Sequence, residues 1–308
     1  MNSQDITRAL IDTTVARAMV EMDADPKRSV RKLCDLGRQF SRGRFQNQIF
    51  AIFQDLLRND ESPYYQAIDF LLRSNDPEAL RQFGINIGYN SFTYGAQILR
   101  QKQKELSFAV PWVVKLRLDS RIPDTYDSSF FASVVRTGLT YGIYSYQLRS
   151  MDHHEDMESY LAVIQSHPEC AFLWFLSDTP LTEKQQKLLL SCPNLMVSLP
   201  IDAPSTASMA KALRRQRTLF GMHKVYQDAD AAAYLLSFDH LYSQMEQSVF
   251  FFLVADDSCS KESIRAVSDV VQQYRFTPIQ PFFLDTPTVS FEELSLRNIF
   301  YRELLADA

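Results

Sequence analysis

Closely spaced cysteines are missing from this sequence. It contains four cysteines, and no two of them lie closer than 22 positions: Cys34, Cys170, Cys192 and Cys259. Zinc and iron–sulfur sites normally use cysteines only a few residues apart. The segment 152–156 (DHHED) also lacks the i, i+4 spacing that brings metal ligands together on a helix. The sequence therefore predicts no metal site, and we expect no cofactor.

Long apolar runs are absent as well. The most apolar stretch, Val249–Ala255, has seven residues, whereas a membrane helix needs about 20. The N-terminus (MNSQDITRALIDTT) is polar and acidic and has no apolar signal core. These features predict a cytoplasmic protein without a membrane partner. The formal net charge of −5 argues against nucleic acid as a partner.

Two patterns divide the chain. Residues 1–107 show helical periodicity, whereas residues 108–308 alternate between short apolar strands and capped helices. Such alternation predicts parallel strands with helices packed outside them, and ligand sites at the carboxyl ends of the strands. The predicted fold class is α/β, a parallel (β/α) partial or full barrel preceded by an N-terminal all-helical domain. We place the domain boundary between residues 107 and 108.

A segment with three glycines (GINIGYNSFTYGA, residues 84–96) interrupts the helical region. The pattern favours a tight turn between two helices, with Gly88 as the cap of the first and Ser91 or Thr93 as the cap of the second. The alternative is a loop that covers the mouth of the barrel with exposed backbone groups.

The first two predicted strands carry polar residues on one face. Side chains alternate across a strand, and the opposite face is apolar and suits the helices. Because unpaired buried charge is costly, we infer a polar cavity that binds a polar or anionic ligand. Its predicted lining comprises Lys115, Arg117, Asp119, Ser145, Gln147 and Arg149, with Asp178, Ser198 and Asp202 added from the ends of later strands. The alternative is an internal arginine–aspartate network that only closes the barrel.

Further acidic residues lie at the carboxyl ends of predicted strands, among them Asp256, Asp257 and Asp285. Such residues can bind a ligand, but they are equally good helix caps and turn formers.

Four stretches carry a family resemblance: VPWVVKLRLDS (110–120), GLTYGIYSYQL (138–148), HPECAFLWFLSDTPLTEKQQKLL (167–189) and NLMVSLPID (194–202). Their order resembles the radical-SAM barrel. That family places three cysteines in the loop after the first strand, where this chain has SRIPDTYDSS, and its Gly-Gly-Glu-Pro segment is replaced here by RSMDHHED. The resemblance therefore implies an open (β/α)6-type barrel without an iron–sulfur cluster, and no cluster or cofactor ligand carries over.

The leading hypothesis is a non-catalytic barrel that binds a polar or anionic small molecule, or a partner protein, at its mouth. An alternative is an enzyme that uses Asp119, Asp178 or Asp202 as acid or base and Arg117 and Arg149 as substrate anchors.

A third hypothesis is an interaction protein that acts through the basic segment Lys27–Arg44. This segment contains seven basic residues and one acid, Asp35. Charge runs of this kind are usually solvated helix faces. A protein partner that binds this segment is therefore an alternative and not the leading hypothesis.

Overall fold

The computed structural model describes residues 3–22, 25–40, 44–106, 110–118, 127–150, 156–234, 248, 250–256, 258–275 and 282–286. The predicted helices Leu241–Glu246 and Phe291–Leu305 lie outside these ranges. None of the helices in the described part of the chain is long and apolar enough to cross a membrane.

The N-terminal region is helical, as predicted. Polar residues before proline start three of its helices; at Asp76 the carboxylate accepts a hydrogen bond from the Ala79 amide at 3.0 Å. The domain boundary at residue 107 stays a prediction. The helices are α1 (Ser3–Glu21), α2 (Pro26–Phe40), α3 (Arg44–Leu56), α4 (Pro63–Ser74), α5 (Pro77–Ile85), a π-helix (Asn86–Gly95) and α6 (Ala96–Glu105).

The predicted turn at residues 84–96 is wrong. The chain continues from α5 through the π-helix into α6 without leaving a helical conformation. Side-chain amides of the π-helix bind backbone carbonyls at the start of β3: Asn86 donates to Cys170 at 2.7 Å, and Asn90 donates to Glu169 at 2.7 Å. Tertiary contacts thus override the local turn signal, and Gly95 permits close packing against the Gly142 backbone instead of ending a helix.

The second half forms one parallel sheet in the order β1-β2-β3-β4-β5-β6-β7, which curls into a half-barrel and confirms the predicted α/β class. Within the described residues β1 and β7 are its two edges. The strands are β1 (Val113–Leu118), β2 (Ser145–Ser150), β3 (Ala171–Phe175), β4 (Leu195–Pro200), β5 (Phe220–Tyr226), β6 (Phe250–Ala255) and β7 (Phe282–Thr286).

Helices lie between successive strands. Asp127 caps the first of them by accepting from the Phe130 amide at 2.7 Å, and Gly142, with φ 85°, caps its C-terminal end. The sequence also offers Gly138 as the end of this helix, but the helix continues beyond it to Tyr141. The helices are α7 (Ser128–Tyr141), α8 (Met157–Ser166), α9 (Glu183–Leu189), α10 (Thr206–Arg215), α11 (Asp228–Tyr234) and α12 (Lys261–Arg275).

Apolar residues of the convex face form the main core with α7–α10. Tyr146 and Phe172 stack with ring centroids 5.4 Å apart, and the Trp174 indole donates to the Ser150 hydroxyl at 2.9 Å. Burial of these large rings supplies much of the apolar area that holds helices and sheet together. The polar residues of β1 and β2 therefore face the other way, as the alternation predicts.

The concave face is partly filled by the N-terminal helices. Leu71 of α4 and Leu80 and Phe83 of α5 pack against an inner cluster of buried residues, namely Phe175, Met196, Leu219, Phe252 and Val254. The N-terminal helices therefore cover part of the concave face, and we expect a ligand mouth at the carboxyl ends of the strands.

Candidate functional site

Two arginines lie side by side on the concave face. The parallel register of β1 and β2 pairs Lys115 with Gln147 and Arg117 with Arg149. Because paired residues of adjacent strands point to the same face, the cationic residues of β1 and the Arg149 guanidinium share one wall. Both arginines lie one residue before the end of their strands, so they stand at the mouth.

Asp256 faces Arg149 from the other side of the mouth. The distance from Arg149 Nη2 to Asp256 Oδ2 is 3.8 Å, and the two side chains are 17% and 27% exposed. Asp256 directly follows β6, which is separated from β2 by three strands. The contact therefore depends on the curl of the sheet, which closes a half-buried polar mouth between β2 and β6.

The Asp256 carboxylate is held in place from its own loop. Its Oδ1 accepts from the Ser258 hydroxyl at 2.7 Å and from the Ser258 amide at 3.1 Å. These two hydrogen bonds, helped by the charges of Arg149 and Arg117, hold the pKa of Asp256 below its ordinary value. Asp256 is therefore a fixed negative charge at neutral pH.

A buried imidazole lies below the arginines. His223 Nδ1 is 3.0 Å from the Ser198 hydroxyl, and both residues are buried. Burial, together with the charge of Arg149, lowers the pKa of His223 to about 3, although the hydrogen bond to Ser198 opposes this shift. The ring is thus neutral, and Ser198 and His223 satisfy each other.

Aromatic rings pack beside these polar groups. Phe175 is in register with Arg149 on the neighbouring strand. Its ring centroid lies 5.3 Å from that of His223 and 5.4 Å from that of Phe252. Leu71, Leu80 and Phe83 of the N-terminal helices pack against the same cluster, so the polar groups border an apolar part of the concave face.

The other predicted ligand-binding residues are spread over the sheet. Ser145 lies at the opposite end of β2, where its hydroxyl donates to Ser91 of the π-helix at 2.8 Å and is sealed from solvent. Asp178 is exposed beyond β3, and Asp202 forms an ion pair with Lys224. Asp119 lies outside the described residues. The structure thus brings together Arg117, Arg149 and, below them, Ser198, whereas ligand binding itself stays a prediction.

Two residues of the site escaped the sequence interpretation. Asp256 was one acid among several at strand ends, and its distance from Arg149 along the chain hides their contact. His223 stands in no recognisable motif of the sequence, but its side chain lies on the same face of β5 as position 221, and Gly221 is the register partner of Ser198. The alternation of side chains along β5 was the one available signal for its inward position.

The four cysteines do not fit an iron–sulfur cluster. Cys170 and Cys192 are buried, Cys34 lies in the N-terminal helices and Cys259 follows β6. Burial raises the pKa of Cys34 and Cys192 to about 11, which opposes the thiolate form that a cluster requires. Among the described residues, no three His, Cys, Asp or Glu side chains form a group that could hold a metal ion.

The basic helix α2 is largely neutralised by neighbouring acids. Lys32 lies 2.9 Å from Glu21, Lys27 lies 3.9 Å from Glu61, and Arg31 pairs with Asp60. Arg42 and the side chain of Arg44 lie outside what the structure describes. A cleft of about 250 Å³ between α2 and α3 is lined by Arg31, Cys34, Asp35, Gln54, Leu57 and Arg58.

No protein-family model matches the chain, and no curated protein matches it. Among solved structures, Streptococcus suis SuiB bound to S-adenosylmethionine is similar, with 10% sequence identity, a TM-score of 0.46, and coverage of 73% of this chain and 56% of SuiB. SuiB bound to the precursor peptide SuiA gives 12% identity, a TM-score of 0.45, and coverage of 75% and 57%. The chain thus spans little more than half the length of SuiB. The curled parallel sheet described above agrees with the weak resemblance to the radical-SAM half-barrel that the sequence suggests, as a likeness of fold alone.

Proposed function

We propose that the half-barrel binds a small anionic ligand at its mouth, with Arg117 and Arg149 as the hydrogen-bond donors. The observation that carries this proposal is the pairing of two arginines in one register position: Arg149 is half shielded from solvent opposite the fixed carboxylate of Asp256, and Arg117 beside it is exposed. Planar guanidinium groups suit bidentate binding of carboxylate or phosphate oxygens.

The balance of charge supports an anion. Lys115, Arg117 and Arg149 lie on the inner faces of β1 and β2, and Asp256 is an acid that contacts Arg149. The contact of 3.8 Å between Arg149 and Asp256 is longer than a charge-assisted hydrogen bond of about 2.8 Å. Asp256 therefore orients the Arg149 guanidinium mainly through its charge, and the planar guanidinium groups match the oxygens of an anion.

Binding without catalysis fits these groups better than the alternative of an enzyme. The Arg149–Asp256 pair does place a carboxylate beside a substrate anchor, as that alternative requires. However, a carboxylate whose pKa is lowered is a weak base. His223 is neutral, buried and bound to Ser198, and Asp178 and Asp202 are exposed. We therefore assign these polar groups to ligand recognition.

The test measures the affinity for inorganic phosphate by calorimetry in matched variants. Arg149→Gln should weaken binding by about 10- to 100-fold, because a charge-assisted hydrogen bond contributes about 1.5–3 kcal/mol. Asp256→Asn should tighten binding, since it removes a negative charge beside the ligand but keeps an oxygen that can accept from Ser258. Arg58→Gln, an exposed change outside the mouth, should leave the affinity unaltered.

The two mouth variants should change the affinity in opposite directions. Damage to the fold would weaken binding in both variants, so it could not produce this result. Equal affinities for phosphate in the parent protein and Arg149→Gln would contradict the proposal, as would weaker binding by Asp256→Asn.

A further inference from the structure

A second cationic surface lies at the other end of the half-barrel. Four basic residues and no acid occur between residues 211 and 217, at the C-terminal end of α10: Lys211, Arg214, Arg215 and Arg217. The i, i+3 and i, i+4 spacings place Lys211 beside both Arg214 and Arg215. Lys211 and Arg215 are exposed, and in the described part of the chain neither forms an ion pair. In this respect they differ from the paired cations of α2.

An exposed aromatic ring adjoins these cations. Phe70 of α4 is 37% exposed, and the Arg214 guanidinium carbon lies 5.4 Å from its ring centroid. Large apolar side chains at this level of exposure are few among the described residues. Arginine and aromatic side chains are both enriched at protein interfaces, and a guanidinium over an aromatic ring is weakly attracted to it.

The two elements that build this surface are rigidly joined. The Arg217 guanidinium donates to the Asn75 carbonyl at 2.7 Å, and the Asp76 amide donates to the Arg217 carbonyl at 2.7 Å. Arg217 itself has a φ of 58°, a left-handed conformation that these contacts hold. The end of α10 is thereby fixed against α4, so a partner finds the side chains on a preorganised backbone.

We propose that this basal patch, formed by Phe70, Lys211, Arg214 and Arg215, docks an acidic protein segment that carries an apolar or aromatic side chain. Carboxylates of the segment pair with Lys211 and Arg215, and its apolar side chain covers the open part of the Phe70 ring. A protein segment fits better than nucleic acid, because the chain has a net charge of −5 and the patch exposes one aromatic ring. The patch lies at the amino end of β5, away from the mouth, so both surfaces can be occupied at once.

The test uses fluorescence anisotropy with a labelled synthetic peptide of eight glutamates and two phenylalanines. The double variant Lys211→Glu/Arg215→Glu should raise the dissociation constant at least tenfold, and Phe70→Ala should raise it about threefold or more. The matched control Arg17→Glu/Arg58→Glu changes the net charge equally at two exposed sites and should leave binding within about twofold, if the patch is specific.

Three results would overturn the assignment. One is equal loss of binding in both double variants, which would indicate a general charge effect. Another is unchanged binding of a peptide whose phenylalanines are replaced by serine. The third is tighter binding of a labelled 20-nucleotide single-stranded RNA than of the peptide, which would identify the patch as a nucleic-acid surface.

Discussion

Replacement of Gly95 by alanine is expected to lower the free energy of unfolding by about 3 kcal/mol. A Cβ atom at this position would lie 2.3 Å from the Gly142 carbonyl oxygen and 2.8 Å from that of Asn90. Both obstacles are backbone atoms, and Gly142 has a φ of 85° that leaves it little room to shift. The extra methyl group therefore forces the π-helix away from the turn between α7 and β2. Urea unfolding, followed by circular dichroism, measures this loss.

Gly84→Ala provides the matched control, because it adds the same methyl group to the same continuous helical run. No atom lies within 4 Å of the Cβ position at Gly84. Alanine in a helix should there be neutral or stabilise by about 0.4–1 kcal/mol. Similar losses for both substitutions would show that the π-helix is not packed against Gly142 as described.

The free energy of unfolding should also fall by about 1.6 kcal/mol between pH 6.5 and pH 5.0 through His223 alone. Its pKa is lowered from 6.5 to about 3 in the folded protein, so below pH 6.5 the unfolded chain binds a proton that the folded protein does not. Each such proton makes stability rise by about 1.4 kcal/mol per unit of pH. The stabilisation is complete about one pH unit above 6.5 and is lost progressively as the pH falls towards 3.

His223→Gln isolates this effect, since glutamine does not titrate and its amide can still bond to Ser198. The parent protein and the variant should differ in the slope of unfolding free energy against pH between 5.0 and 6.5, with the steeper slope in the parent protein. Parallel curves for the two proteins would mean that the imidazole is hydrated or charged in the folded state.

The half-barrel could be predicted because its signals are local. Alternating side chains in β1 and β2 indicate which face is polar, and the cap at Asp127 marks the start of α7. However, the alternation of side chains does not indicate how far along the barrel axis a residue lies. Ser145 and Arg149 share a face, but Ser145 lies at the sealed base against Ser91, and Arg149 lies at the mouth.

The remaining features depend on contacts between distant parts of the chain. The contact between Arg149 and Asp256 exists only because the sheet curls. The sequences of β2 and β6 contain no pattern from which this curvature could be predicted. The π-helix likewise depends on carbonyl partners at the start of β3, which lie about 80 positions beyond Asn86 and Asn90. A local reading of the glycines in this segment could therefore only suggest a turn.

The most direct test of the mouth is anomalous diffraction from crystals of the full chain soaked in selenate. Our account predicts a selenium peak within hydrogen-bonding distance of the Arg117 and Arg149 guanidinium groups, at the carboxyl ends of β1 and β2. The absence of a peak there, with both guanidinium groups extended into bulk solvent, would contradict it.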